Sequence, residues 1–120
     1  MKLSIISFTQ NGGQLAAKIA KTLHEKTDEI DVSVSESARQ NMSVGEWAKA
    51  QMETKNALLF IGACGIAVRA IAPHLTDKLH DSPVLVMDEK GIYVIPILSG
   101  HMGGANALAR YLGRQSAQRP

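Results

Sequence analysis

Residues 57–61 read Ala-Leu-Leu-Phe-Ile, apolar without a break, and run directly into the glycine turn "GACG" and an apolar helix pattern, "IAVRAIAPHL". A strand with one wet face alternates apolar with polar residues. Five apolar residues in a row call for cover on both faces, the position of a central strand between two layers of helix. "PVLVM" at 83–87 repeats the demand. Both runs are far too short to span a bilayer, so no membrane partner is expected.

The remaining pattern fits around that centre. "LSIISF" at 3–8 reads as a buried strand, and the loop "TQNGG" at 9–13 leads into a helix on which Leu15, Ile19 and Leu23 recur every four residues. "IDVSV" at 30–34 alternates like a half-covered strand. Val44, Trp47, Ala48 and Met52 share a helical face behind Ser43, a good N-cap. "IYVIPIL" at 92–98 is joined to 83–87 by the tight turn "DEKG", where Gly91 supplies the permissive dihedral, so these two strands should run antiparallel. A last helix begins near His101, carries Ala105, Leu108, Ala109 and Leu112 on one face, and stops at Gly113. The pattern predicts an α/β fold: a three-layer αβα sandwich whose mostly parallel sheet has four to five strands with a terminal β-hairpin. Residues 1–114 form a single domain, and 115–120 a frayed tail or the start of a linker.

Charge and cysteine content narrow the function classes. The net charge of +2 rests largely on Arg110, Arg114 and Arg119 near the end, and no basic stripe is interleaved with aromatic residues, which argues against nucleic acid. One cysteine, Cys64, excludes an internal disulfide and a multi-cysteine zinc site. Met1 leads straight into a strand pattern with no secretion leader, so the expected location is the cytoplasm.

Three glycine-bearing turns lie where strands pass into helices: "TQNGGQ" at 9–14, "GACGIAVR" at 62–69 and "SGHMGGAN" at 99–106. Each can present free amides at a helix N-terminus to an anion. Each can equally be a sharp, tightly packed turn. None matches the phosphate loop or the dinucleotide fingerprint, so a phosphate or nucleotide binder ranks last. His101 is the candidate for proton transfer, against a His that merely caps its helix. Ser99 lacks a third group to complete a Ser-His-acid triad. Cys64 reads as a small buried thiol, although a helix N-terminus can activate one. Asp88 and Glu89 read as turn chemistry, with an acid and base pair as the alternative. Lys78, His80 and Asp81 read as solvated loop, His24 as a favourable cation late in its helix, and the four histidines do not make a metal site. The topology raises a difficulty. If the fourth strand is parallel to the third and the fifth returns, "GACG" and "SGH" emerge at opposite edges of the sheet.

"GACGIAVRAIAPHLTDK" followed by "DSPVLVMDEKGIYVIPILSGHMGGANALA" resembles the N-terminal domain of the CbiG family, the cobalt-precorrin-5A hydrolases of cobalamin biosynthesis, from about Leu59 to Ala109. Residues 1–56 fit the same domain by pattern alone. The resemblance implies a hydrolase of the anaerobic vitamin B12 route that opens the δ-lactone of a cobalt-containing contracted macrocycle and releases acetaldehyde. Its motif residues map to Gly62, Ala63, Cys64, Gly65, Arg69, Asp88, Glu89, Ser99, Gly100, His101, Gly103, Gly104 and Asn106, and the resemblance brings no catalytic assignment with it. On chemical grounds His101, Ser99 and Arg69 are the expected catalytic residues and the others the expected substrate-binding positions. It implies a cobalt-corrinoid substrate and no separate cofactor, because the cobalt arrives inside the substrate. Family members are longer, so further domains or a homodimer are the expected partners. The rival expectation is a non-catalytic module that binds a corrinoid intermediate or docks a partner domain.

Overall fold

A computed structural model of the chain describes residues 1–77, 80–100 and 104–115. Its elements run β1 (Lys2–Ser7), α1 (Gln10–Lys26), β2 (Asp31–Glu36), α2 (Val44–Glu53), β3 (Ala57–Ile61), α3 (Cys64–Ile71), β4 (Val84–Met87), β5 (Val94–Leu98) and α4 (Ala105–Gln115). The five strands lie in the order β2-β1-β3-β4-β5. The first four are parallel, with Ile5 opposite Val34 and Leu59, and Phe60 opposite Val86; β5 runs antiparallel to β4. The expected αβα sandwich with its terminal hairpin is what forms.

Strand alternation divides the core into two layers. Leu3, Ile5, Leu59, Ile61, Leu85 and Met87 face α1 and α4, meeting Ile19, Leu23, Leu108 and Leu112. Ile6, Leu58, Phe60, Val84 and Val86 face α2 and α3, where Trp47 stands edge-on to Phe60 with ring centroids 5.6 Å apart. All five residues of β3 are buried, as its unbroken apolar run requires. α2 starts at Ser43 with a complete capping box. The Ser43 hydroxyl accepts from the Glu46 amide, and the Glu46 carboxylate accepts from the Ser43 amide. No helix among the described residues is long and apolar enough to cross a membrane.

Several details depart from the sequence pattern. The stretch 9–13 is not a loop: Thr9 caps α1 and accepts from the Gly12 amide, so both glycines lie in the first helical turn. Close packing explains Gly12, since a Cβ there would lie 3.4 Å from both Ile61 and Ser7. β5 begins only at Val94, because Asp88 Oδ1 captures the amides of Ile92 and Tyr93 at 2.8 and 2.7 Å and holds 88–93 as a longer turn. Gly91 does adopt the positive φ, 71°, that the turn needs. α4 begins at Ala105, not near His101, and continues through Gly113 to Gln115, because fully buried Leu112 keeps that turn docked on the sheet. Cys64 is exposed, not buried, since it opens α3 on the side away from the core.

Candidate functional site

The crossovers from β1 to β2 and from β2 to β3 run on opposite faces of the sheet, through α1 and α2. A crevice therefore opens at the carboxyl ends of β1 and β3, where open α/β sheets hold their ligands. Residues 62–65 lie at this point. The Gly62 amide donates to the Met87 carbonyl at 2.9 Å, and a Cβ on Gly62 would stand 3.1 Å from the Phe8 ring, so this glycine serves packing. Gly65 differs: a Cβ there would meet nothing within 4 Å. Ala63, the N-cap of α3, has no side chain to satisfy the first-turn amides. The amides of Cys64 and Gly65, at a helix N-terminus, have no acceptor among the described residues, an arrangement suited to a carboxylate.

Two further elements close over the crevice. The Thr9 hydroxyl donates to the Glu89 carboxylate, tying the start of α1 to the turn after β4. Asp88, next to Glu89, is committed to its own turn. Arg69 lies in the last turn of α3, exposed and without an ion pair among the described residues.

The second glycine turn is elsewhere. β5 runs antiparallel to β4 with Leu98 opposite Val84, so Ser99 emerges at the amino ends of the parallel strands. The length of β3 puts that edge about 16 Å from residues 62–65. Ser99 has a left-handed backbone, φ 57°, and its hydroxyl donates to the Asp81 carbonyl at 2.8 Å. Its carbonyl accepts from the Ala105 amide, and that of Gly100 from the Asn106 amide. A Cβ on Gly100 would come within 3.0 Å of Asn106 Oδ1, and Gly104 turns the chain with φ 86°. Ser99, Gly100, Gly104 and Asn106 thus form one knot before α4. His101 and Gly103 lie outside the described residues, as does Lys78. The structure brings Gly62, Ala63, Cys64, Gly65, Asp88 and Glu89 to one edge, and keeps Ser99, Gly100, Gly104 and Asn106 at the other. Thr9 and Phe8, which shape the crevice, carried no signal beyond an N-cap residue three positions before a glycine.

Residues 46–120 match the family described as cobalamin synthesis G N-terminal. The chain belongs to the cobalamin synthesis G N-terminal family. It is 58% identical over 65 residues to a cobalt-precorrin-5A hydrolase of Salmonella typhimurium, covering 54% of this chain and 18% of that protein. With a protein of the same name from Priestia megaterium it is 35% identical over 115 residues, covering 89% of this chain and 30% of the relative. The fold is similar to a crystal structure from Sulfolobus solfataricus described as a cobalamin biosynthesis protein G homologue, with a TM-score of 0.80 and 26% identity over 99% of this chain and 35% of that one. The chain thus spans less than a third of the curated relatives, and this family domain is one part of proteins of that length.

Proposed function

We propose that the chain is the N-terminal domain of a cobalt-precorrin-5A hydrolase of anaerobic cobalamin biosynthesis, taking part in the hydrolytic opening of the δ-lactone with release of acetaldehyde. The reading rests above all on the 58% identity to the Salmonella typhimurium protein of that name. The carboxyl edge supports it physically. Contracted tetrapyrrole macrocycles are ringed by carboxylates, and the unpaired amides of Cys64 and Gly65 suit one of them, with Gly62 and Ala63 shaping the approach and exposed Arg69 adding a cation in the last turn of the same helix. In this reading Glu89 bounds the crevice and Asp88 sets the turn that carries it.

His101 is the proposed base for the attacking water. Ser99 is held by its bond to Asp81 and Gly100 by the Asn106 amide, and the amides of Gly103 and Gly104 are the proposed donors to the oxyanion. The roughly 16 Å between the edges favours a division of labour, in which one edge grips the macrocycle periphery and the remainder of a longer protein or a second copy completes the reacting centre. Cobalt belongs to the substrate, and the proposed location is the cytoplasm. The separation of the edges also gives weight to the second reading, a binding or docking module that performs no chemistry itself.

Anaerobic incubation of the purified chain with cobalt-precorrin-5A, followed by an acetaldehyde assay, tests the proposal. Release that falls when His101→Ala is introduced supports the hydrolase reading. Binding without release supports the module. Failure to bind the macrocycle overturns the hydrolase and the corrinoid-binding module, and leaves only a module that docks a partner domain.

A further inference from the structure

A second cleft, of about 640 Å³, lies beside the crevice between the start of α1 and the turn that follows β2, lined among others by Ser7, Gln10, Gly13, Gln14, Glu36 and Arg39. Its floor holds an unusual group. Ser7 is 1% exposed and its hydroxyl has no hydrogen-bond partner among the described residues, although a buried hydroxyl left unpaired is costly and rare. Ser7 ends β1 and stands in register with Glu36, so both side chains rise on the face that α1 covers. Above them Gly13 leaves a gap: a Cβ there would be 3.0 Å from Glu36 Oε1 and 3.6 Å from Ser7 Oγ.

The wall is rich in donors. In α1 the amides of Gly12 and Gly13 are taken by Thr9, but those of Gln10 and Asn11 have no acceptor among the described residues. The Arg39 guanidinium, largely exposed, reaches Glu36 Oε2 at 2.9 Å. Glu89 flanks the other side of the helix start, where its carboxylate is engaged by Thr9. Glu36 therefore places one carboxylate against the first turn of α1 and against Arg39, where an external carboxylate would be held.

We infer that this cleft is a carboxylate-binding site in which Glu36 stands in for the ligand: an incoming carboxylate displaces Glu36 from Arg39, and its oxygens take the Ser7 hydroxyl and the first-turn amides of α1. Resting on the reading above, the carboxylate belongs to the rim of the corrinoid, and the cleft is a second grip on the macrocycle beside residues 62–65. Glu36 then acts as a competitor that keeps the site from retaining stray anions. Its removal strengthens binding, and removal of Arg39 weakens it.

Amide NMR titrations of the chain with cobyrinic acid, a corrinoid carrying free carboxylates, and with citrate, which has carboxylates and no macrocycle, test this. The expected result is perturbation of Ser7 and Gln10–Gly13 by both probes, about tenfold weaker binding in Arg39→Ala, and severalfold tighter binding in Glu36→Ala, as the loss and gain of a charge-assisted hydrogen bond imply. Ser7→Ala should also bind more weakly while its thermal midpoint stays level or rises, the reverse of what a purely structural hydroxyl would do. Perturbation by citrate and not by cobyrinic acid would keep the site and overturn the corrinoid as its ligand. No perturbation of these amides by either probe, or affinities unchanged in Arg39→Ala and Glu36→Ala, would overturn the site itself.

Discussion

The Thr9 hydroxyl donates to the Glu89 carboxylate across 80 positions of sequence, joining the cap of α1 to the turn between β4 and β5 over the end of the strand that lies between them. The same Thr9 oxygen accepts from the Gly12 amide at 3.0 Å, so one side chain both starts a helix and fastens the rim of the crevice. Thr9→Ala should cost about 1–2 kcal/mol in chemical denaturation and Thr9→Ser much less, because serine retains both bonds. Glu89→Ala should lose only the rim bond, about 0.5–1.5 kcal/mol.

Gly62 and Gly65 should respond oppositely to alanine. Gly65→Ala adds a methyl in open space within a helix and should stabilise the free chain by about 0.5–1 kcal/mol while lowering affinity for a carboxylate corrinoid, whose approach to the backbone it blocks. Gly62→Ala forces the Phe8 ring to move and should destabilise by about 1–3 kcal/mol. Thermal shift with and without cobyrinic acid checks both. A destabilised Gly65→Ala would refute the assignment of that glycine to binding.

Trp47 and Phe60 hold the α2 and α3 face together. Phe60→Ala should cost about 3–5 kcal/mol, a large share of the stability available to a domain of this size, and leave the chain partly unfolded at 37 °C by circular dichroism.

The capping box gives a signed pH dependence. The Ser43 backbone amide, and next its hydroxyl, hold the Glu46 carboxyl below the ordinary carboxylate value. A depressed folded-state pKa stabilises above the unfolded value, and that contribution is lost as the pH falls through the folded one. Stability measured below the normal carboxylate range should therefore decline less in Glu46→Gln than in the parent, whereas Ser43→Ala should cost about 1 kcal/mol near neutrality.

Local chemistry determined much of this protein. The unbroken apolar run at 57–61, the four-residue spacing of Leu15, Ile19 and Leu23, and Ser43 ahead of Glu46 specify a strand, a helix and a cap whose groups lie next to one another in the chain, and the strand and the cap formed where that chemistry put them, while α1 opened earlier, at Gln10. The layering followed as well, because a strand apolar on both sides must be covered on both sides. The direction of β5 even implied that the two glycine turns part company. Long-range placement decided the rest. The bond from Thr9 to Glu89, the Phe8 ring over Gly62, the hydroxyl of Ser7 beneath Gly13 and the exposure of Cys64 depend on strand order and on how closely α1 settles onto the sheet. A glycine in the sequence permits close approach, but only the packed fold distinguishes Gly62, whose missing methyl makes room for a ring, from Gly65, whose missing methyl leaves a helix terminus open. Conformational preference acts between neighbours in the chain, whereas an open or filled surface is set by what the completed sheet brings beside it.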